Sequence, residues 1–212
     1  GGGDRDESAV LLAKLEESEP ILALAQVVRL KTASGKLPDA AEALTRLLAL
    51  PGQRKVTNVE EIVSIYERML DPEAAQKWIE TWKQLAPGST TPWLKEARLT
   101  QKVGKWKEAI DILRRASQRM PEEKVLMVEM AKAYFELGKM ADAQRLFWRL
   151  YEEEEDAASK IGWVRQLATV SRERGETREF LERLKERQES NRNAIEPLLA
   201  LAAAHDTLGD PD

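Results

Sequence analysis

The chain has 212 residues, 42% of them hydrophobic and 33% charged, with a formal net charge of −4 and no cysteine. That balance excludes an intrinsically disordered chain, which lacks the apolar residues to build a core, and it excludes disulfides, cysteine–zinc sites and thiol nucleophiles. Nucleic acid is not expected as a partner, because clustered basic charge supplies most of that affinity. No apolar run approaches the ~20 residues that cross a bilayer, so membrane insertion is not expected.

In chain order, residues 1–7 have no signal-peptide core and are expected to be a flexible tail or cloning scar, with a single array over 8–212. The stretch Ser8 to Glu17 reads as a lone amphipathic helix. From Ile21 onward one pattern recurs, in units starting near Ile21, Val56, Thr90, Lys124, Ile161 and Ile195. A period of about 34 residues is the mark of a helix–turn–helix repeat. The Ile21 unit carries Leu24, Val28, Gly35, Ala40, Leu44 and Leu47 and ends at Pro51-Gly52. The Val56 unit carries Val59, Val63, Tyr66, Ala75, Ile79, Trp82 and Pro87. It has Leu70 where its neighbours have glycine, so Asp71-Pro72 is expected to make that turn.

The Thr90 unit is the best-preserved copy, with Trp93, Ala97, Gly104, Trp106, Ala109, Leu113, Ala116 and Pro121. The Lys124 unit follows with Met127, Ala131, Tyr134, Gly138, Ala143 and Phe147. Three extra residues precede the Ile161 unit, which keeps Val164, Ala168 and Gly175 but has Phe180 where a small residue is expected. The Ile195 unit keeps Leu198, Ala202 and Gly209 and holds one helix only.

These residues resemble the tetratricopeptide repeat. The resemblance implies an all-α fold, a right-handed α-α superhelix of antiparallel helix pairs, with about five full repeats and a half repeat at each end. A fragment of a longer array is expected, since solenoids normally close their ends with polar caps. Small residues such as Ala97 and Ala109 let the helices of a pair approach closely, and glycine at the turn supplies φ > 0. Asn58 with Glu61, and Asn193 with Glu196, have capping-box spacing. No stretch alternates with period two, so no sheet is expected.

The family lines a concave groove with its first helices. Carried over place by place, the groove residues are Leu94, Lys95, Arg98, Lys102, Val128, Lys132, Phe135, Arg165 and Arg172. Apolar residues among six cations suggest a protein or peptide partner of acidic character. The chaperone-tail-binding version of the family is excluded, because Leu94, Arg98 and Glu129 stand where its carboxylate clamp needs Lys and Asn.

Elsewhere, the acidic run Glu152 to Asp156 lacks calcium-loop spacing and reads as a solvated helix end. Glu179, Arg183 and Arg187 read as ordinary pairs along one helix. His205, the single histidine, has no catalytic company, while Trp78, Trp148 and Trp163 fall off the repeat pattern. The expected function is a protein–protein interaction scaffold or adaptor, not an enzyme, with no cofactor and no metal. The alternative is a substrate-recruiting segment of a larger enzyme or of a secretion or assembly factor. Self-association through uncovered end repeats is a further expectation.

Overall fold

The computed structural model describes residues 10, 14–15, 17–191 and 194–209. The tail at 1–7, most of the helix expected at Ser8 to Glu17, and Asn193 lie outside them. Among the described residues eleven helices are bounded and there is no strand. They are α1 (Pro20–Ala33), α2 (Leu37–Ala49), α3 (Val56–Arg68), α4 (Pro72–Leu85), α5 (Thr91–Lys102), α6 (Trp106–Arg119), α7 (Lys124–Glu136), α8 (Met140–Glu153), α9 (Ala157–Arg174), α10 (Thr177–Ser190) and α11 (Ile195–Leu208). Odd-numbered helices open each repeat and even-numbered ones close it, an all-α helical-repeat solenoid. By compactness the chain forms two units, Gly1–Leu99 and Thr100–Asp212.

Each turn inside a repeat uses the same two backbone hydrogen bonds. In the Lys124 repeat the Gly138 amide donates to the Phe135 carbonyl and the Lys139 amide to the Tyr134 carbonyl, both at 2.9 Å. The second bond closes a six-residue loop that requires a left-handed residue at its neck, and Gly138 has φ 75°. Leu70 does the same without being glycine: its φ is 58°, its amide reaches Glu67 at 3.1 Å and the Asp71 amide reaches Tyr66 at 3.0 Å. The expectation that Asp71-Pro72 would replace the glycine turn is therefore corrected. Leu70 itself takes the strained conformation, at a cost of ~1–2 kcal/mol for an L-residue. Asp71 instead caps α4, its carboxylate accepting from the Ala74 amide at 3.0 Å, with Pro72 in the first turn.

Packing follows the small residues. Ala40 and Ala75 in the first unit, and Ala109, Ala131, Ala143 and Ala168 in the second, are fully buried. Around them lie two apolar cores. One gathers Leu44, Leu48, Ile62, Ile65, Ile79 and Trp82; the other gathers Met127, Phe147, Leu150, Leu167, Phe180 and Leu184.

Three departures from the sequence reading have physical causes. Asn58 does not cap α3, which starts at Val56; its side-chain amide donates to the Gln53 carbonyl at 2.8 Å from inside the first turn. The three extra residues before Ile161 do not lengthen a loop but add a turn to α9, which starts at Ala157 with Asp156 accepting from the Ser159 amide at 2.7 Å. Finally, Phe180 is 3% exposed where other repeats bury alanine. A ring in that place holds the pair apart, and α9 touches α8 and α11 more extensively than its own partner α10.

On α11 the buried and exposed faces are distinct. Pro197, Ala200, Ala203 and Ala204 are buried on the side that meets α9 and α10. Leu198 and Ala202, the repeat places that a second helix covers, are exposed. No helix among the described residues is long and apolar enough to cross a membrane.

Candidate functional site

The nine groove residues fall on three first helices. In the first unit, α5 carries Leu94 and Lys95, both half-buried, and exposed Arg98. Lys95 Nζ lies 2.6 Å from Glu67 Oε2 on α3, whose own side chain is 15% exposed. A half-buried cation so paired is already neutralised, which lowers the local positive charge expected from the sequence.

In the second unit, Lys102 is exposed at the end of α5. On α7, Val128, Lys132 and Phe135 follow at four- and three-residue steps, so they form one stripe. Val128 and Phe135 are half-buried apolar groups flanking an exposed lysine, and Lys132 reaches Glu129 in the same helix at 3.2 Å. On α9, Arg165 and Arg172 stand seven residues apart and both are exposed. Arg165 approaches Asp206 of α11 only loosely, at 3.8 Å. Exposed pairs like these are worth well under ~1 kcal/mol, so an incoming carboxylate competes for such cations at little cost.

Two clusters escaped the sequence reading. Between α4 and α5, Lys83 Nζ sits 2.6 Å from Glu96 Oε2 and 2.8 Å from Glu80 Oε1, and 4.1 Å from the centre of the Trp93 ring. Lys83 and Glu96 side chains are only 9% and 5% exposed. The sequence did carry a signal: opposite charges occupy repeat places that hold Leu48 and Tyr151, and Ile62 and Leu167, in other copies.

The other cluster joins α8 and α10. The Arg183 guanidinium stacks 3.7 Å above the Trp148 ring, and Arg183 and Arg187 both donate to Glu152 Oε1, at 3.1 and 2.6 Å. These arginines therefore pair across helices, not along α10 as the four-residue spacing suggested. Trp148 also meets Tyr151 and Phe180 edgewise or tilted, with ring centres 5.6 and 5.9 Å apart. Beside it lies a cleft of about 530 Å³ lined by Gln144, Arg145, Trp148, Glu176 and Arg183 among others. Tyr151 donates to Glu196 at 2.9 Å; burial first, and that carboxylate second, push its pKa up to about 12.

The remaining singled-out residues are structural. Trp78 and Trp163 are half-buried against the cores, the latter stacked on Phe147 with centres 6.3 Å apart. His205 is half-buried on α11. Within the acidic run, Glu153 pairs with Arg149 at 2.6 Å and Asp156 is the α9 cap. Among the described residues no three His, Asp or Glu side chains are grouped to hold a metal.

Antiparallel helix pairs recurring at about 34 residues define the class of the protein, a helical-repeat solenoid. Two comparisons bear on the family: residues 102–160 match the model of the tetratricopeptide repeat, and solved tetratricopeptide-repeat structures share the fold. The MamA protein aligns with a TM-score of 0.57 at 15% identity, over 81% of this chain and 92% of its own. YrrB, described as a tetratricopeptide-repeat protein with an unusual peptide-binding site, aligns at 0.53 and 14% identity over 91% and 96%. PilF of Pseudomonas aeruginosa aligns at 0.52 and 16% identity over 94% and 90%. Curated proteins give no match. Residues 102–160 thus match the tetratricopeptide repeat, and the chain shares the fold of solved proteins of that kind.

Proposed function

We propose that this chain is a protein-interaction scaffold that holds a peptide or partner protein against its first helices. The observation that carries the reading is the stripe on α7, where half-exposed Val128 and Phe135 flank Lys132. Apolar surface supplies the affinity and is non-directional; the cations on α7 and α9 select register and sign of partner. Lys132, Arg165 and Arg172 favour a segment that mixes apolar side chains with Asp or Glu. YrrB, which shares this fold, is described with a peptide-binding site, which supports a peptide as the ligand.

Panning a random peptide library on the purified chain tests this. The expected outcome is enrichment of peptides that alternate apolar and acidic residues, with binding lost in a Lys132→Glu/Arg165→Glu variant. Binding should survive in Lys107→Glu/Arg115→Glu, which alters exposed cations of α6, a second helix. Equal losses in the two variants, or enrichment with no acidic preference, refute the proposed face.

A further inference from the structure

Three departures from the repeat frame meet in the second unit, between the second helices α8 and α10. Where four repeats place Ala40, Ala75, Ala109 and Ala143, the Ile161 repeat has Phe180. Where they place Ala43, Trp78, Ile112 and Leu146, it has Arg183. Trp148 stands where the other copies have Thr45, Glu80, Arg114 and Lys185. A ring for a methyl, a charge for an apolar group and an indole for a polar group are each out of place alone. Together they set the Phe180 and Trp148 ring centres 5.9 Å apart, with the Arg183 guanidinium 3.7 Å above the indole. What they build is an open cleft of about 530 Å³. Protein interiors are otherwise close-packed, so a cleft made by three frame-breaking residues directs attention to what fills it.

The α8 wall runs from Ala141 to Glu152 and the α10 wall from Glu176 to Arg183, each a single stripe of helix. Side-chain bridges close both ends. The Gln144 amide donates to Glu176 at 3.4 Å and to the fully buried Ser171 hydroxyl at 3.1 Å, and Arg183 donates to Glu152 at 3.1 Å. The floor is aromatic, and the rims differ in sign. Arg145 and Arg149 stand one turn apart on α8, Glu179 stands on α10, and all three are exposed. The arginines meet Asp142 and Glu153 of their own helix at 2.8 and 2.6 Å. Such exposed pairs are worth well under ~1 kcal/mol, so an incoming carboxylate exchanges for them at little cost.

We propose that this cleft holds one helix of a partner protein. Its carboxylates, one turn apart, meet Arg145 and Arg149, and a lysine or arginine on its other edge meets Glu179. From Ala141 to Glu152 the α8 wall spans ~16 Å, about three turns of such a helix. An extended segment fits less well, because its backbone needs hydrogen-bonding partners. Apart from ionic groups the walls offer the Gln144 amide, already bonded to Ser171 and Glu176. A helix keeps its backbone satisfied and docks through side chains. A second copy of this face is itself concave and leaves the space empty. The cleft belongs to second helices, so it stands or falls separately from the first-helix face proposed on α7 and α9.

The test is phage display of an alanine-rich helix about four turns long, randomised along its two edges and panned on the purified chain. Helices with carboxylates one turn apart on one edge and Lys or Arg on the other should be enriched. Fluorescence anisotropy of a selected peptide should show binding weakened roughly tenfold in Arg145→Glu/Arg149→Glu, and restored when the peptide's carboxylates are replaced by lysines. Both positions are exposed, and a matching thermal melt verifies that the variant folds. Lys132→Glu/Arg165→Glu should bind the peptide unchanged. No enrichment, enrichment without that charge pattern, or equal binding to Arg145→Glu/Arg149→Glu and the wild-type chain overturns the proposal. Loss confined to Lys132→Glu/Arg165→Glu overturns it too, and assigns the helix to the first-helix face.

Discussion

Each of the two units holds a cation stacked over a tryptophan with a carboxylate beside it, but in opposite surroundings. In the first unit Lys83, Trp93 and Glu96 are buried together, and Leu70, before the other end of α4, holds a backbone shape that the other repeats assign to glycine. In the second, Trp148 is buried while Arg183 and Glu152 remain about half exposed, and every turn of the frame is a glycine. The same three groups therefore do different things. Burial makes the first cluster costly to break, because charges removed from water depend on their partners. Water supports the second whether or not its members meet.

Lys83→Met should expose the contrast most strongly, costing ~3–5 kcal/mol by leaving Glu96 buried without its lysine, read as a lower urea midpoint. Lys83→Met/Glu96→Leu should recover most of that loss, since apolar pairs replace buried ion pairs well. A double variant no better than the single would mean that the pair organises α4 and α5 beyond its own charges. Next in size, Leu70→Gly should stabilise the chain by ~0.5–1 kcal/mol, because the leucine side chain is 87% exposed and only its left-handed backbone is relieved. A loss of stability would contradict the conformation assigned to that turn.

Arg183→Met should cost no more than ~1 kcal/mol in the same melts, the sum of an exposed stacking contact and an exposed ion pair. A loss equal to that of Lys83→Met would erase the distinction between the units. A further effect, confined to alkaline pH, concerns Tyr151, whose pKa of about 12 stands above the usual tyrosine value of 10. The folded state holds this proton more tightly than the unfolded one, so the linked stability is fully present below pH 10 and is lost as pH rises from there towards 12. Tyr151→Phe should flatten that alkaline slope, and an absorbance titration should show one of the three tyrosines ionising late.

The repeat frame was readable from the sequence because it depends on side-chain volume. Ala131, Ala143 and Ala168 recur where helices touch, and all are fully buried. Conformation was harder to read. Nothing in the composition of Leu-Asp-Pro at 70–72 says which residue will turn left-handed, because the hydrogen bond from the Asp71 amide to the Tyr66 carbonyl that demands it is a property of the joint. Pairing across helices was also hidden: Arg183 and Arg187 have the spacing for partners on α10, yet Glu152 on α8 takes both. On the candidate face the positions of Lys132, Arg165 and Arg172 followed from the frame, whereas the neutralisation of Lys95 by Glu67 required knowing which helices meet.

The additional turn at the start of α9 has a bearing on how such chains change length. Three residues advance a helix by about 300°, enough to rotate every later side chain off its target. Placed ahead of Ile161, they leave Val164, Leu167 and Ala168 in their buried places and spend the rotation on Ala157, Ala158 and Ser159, all exposed. The junction between repeats thus works like a splice: growth there is silent for the core and yet carries new side chains outward. Lys160, which follows those three residues, stands 5.4 Å over the Tyr151 ring, a contact on the side of α9 that the added turn extends.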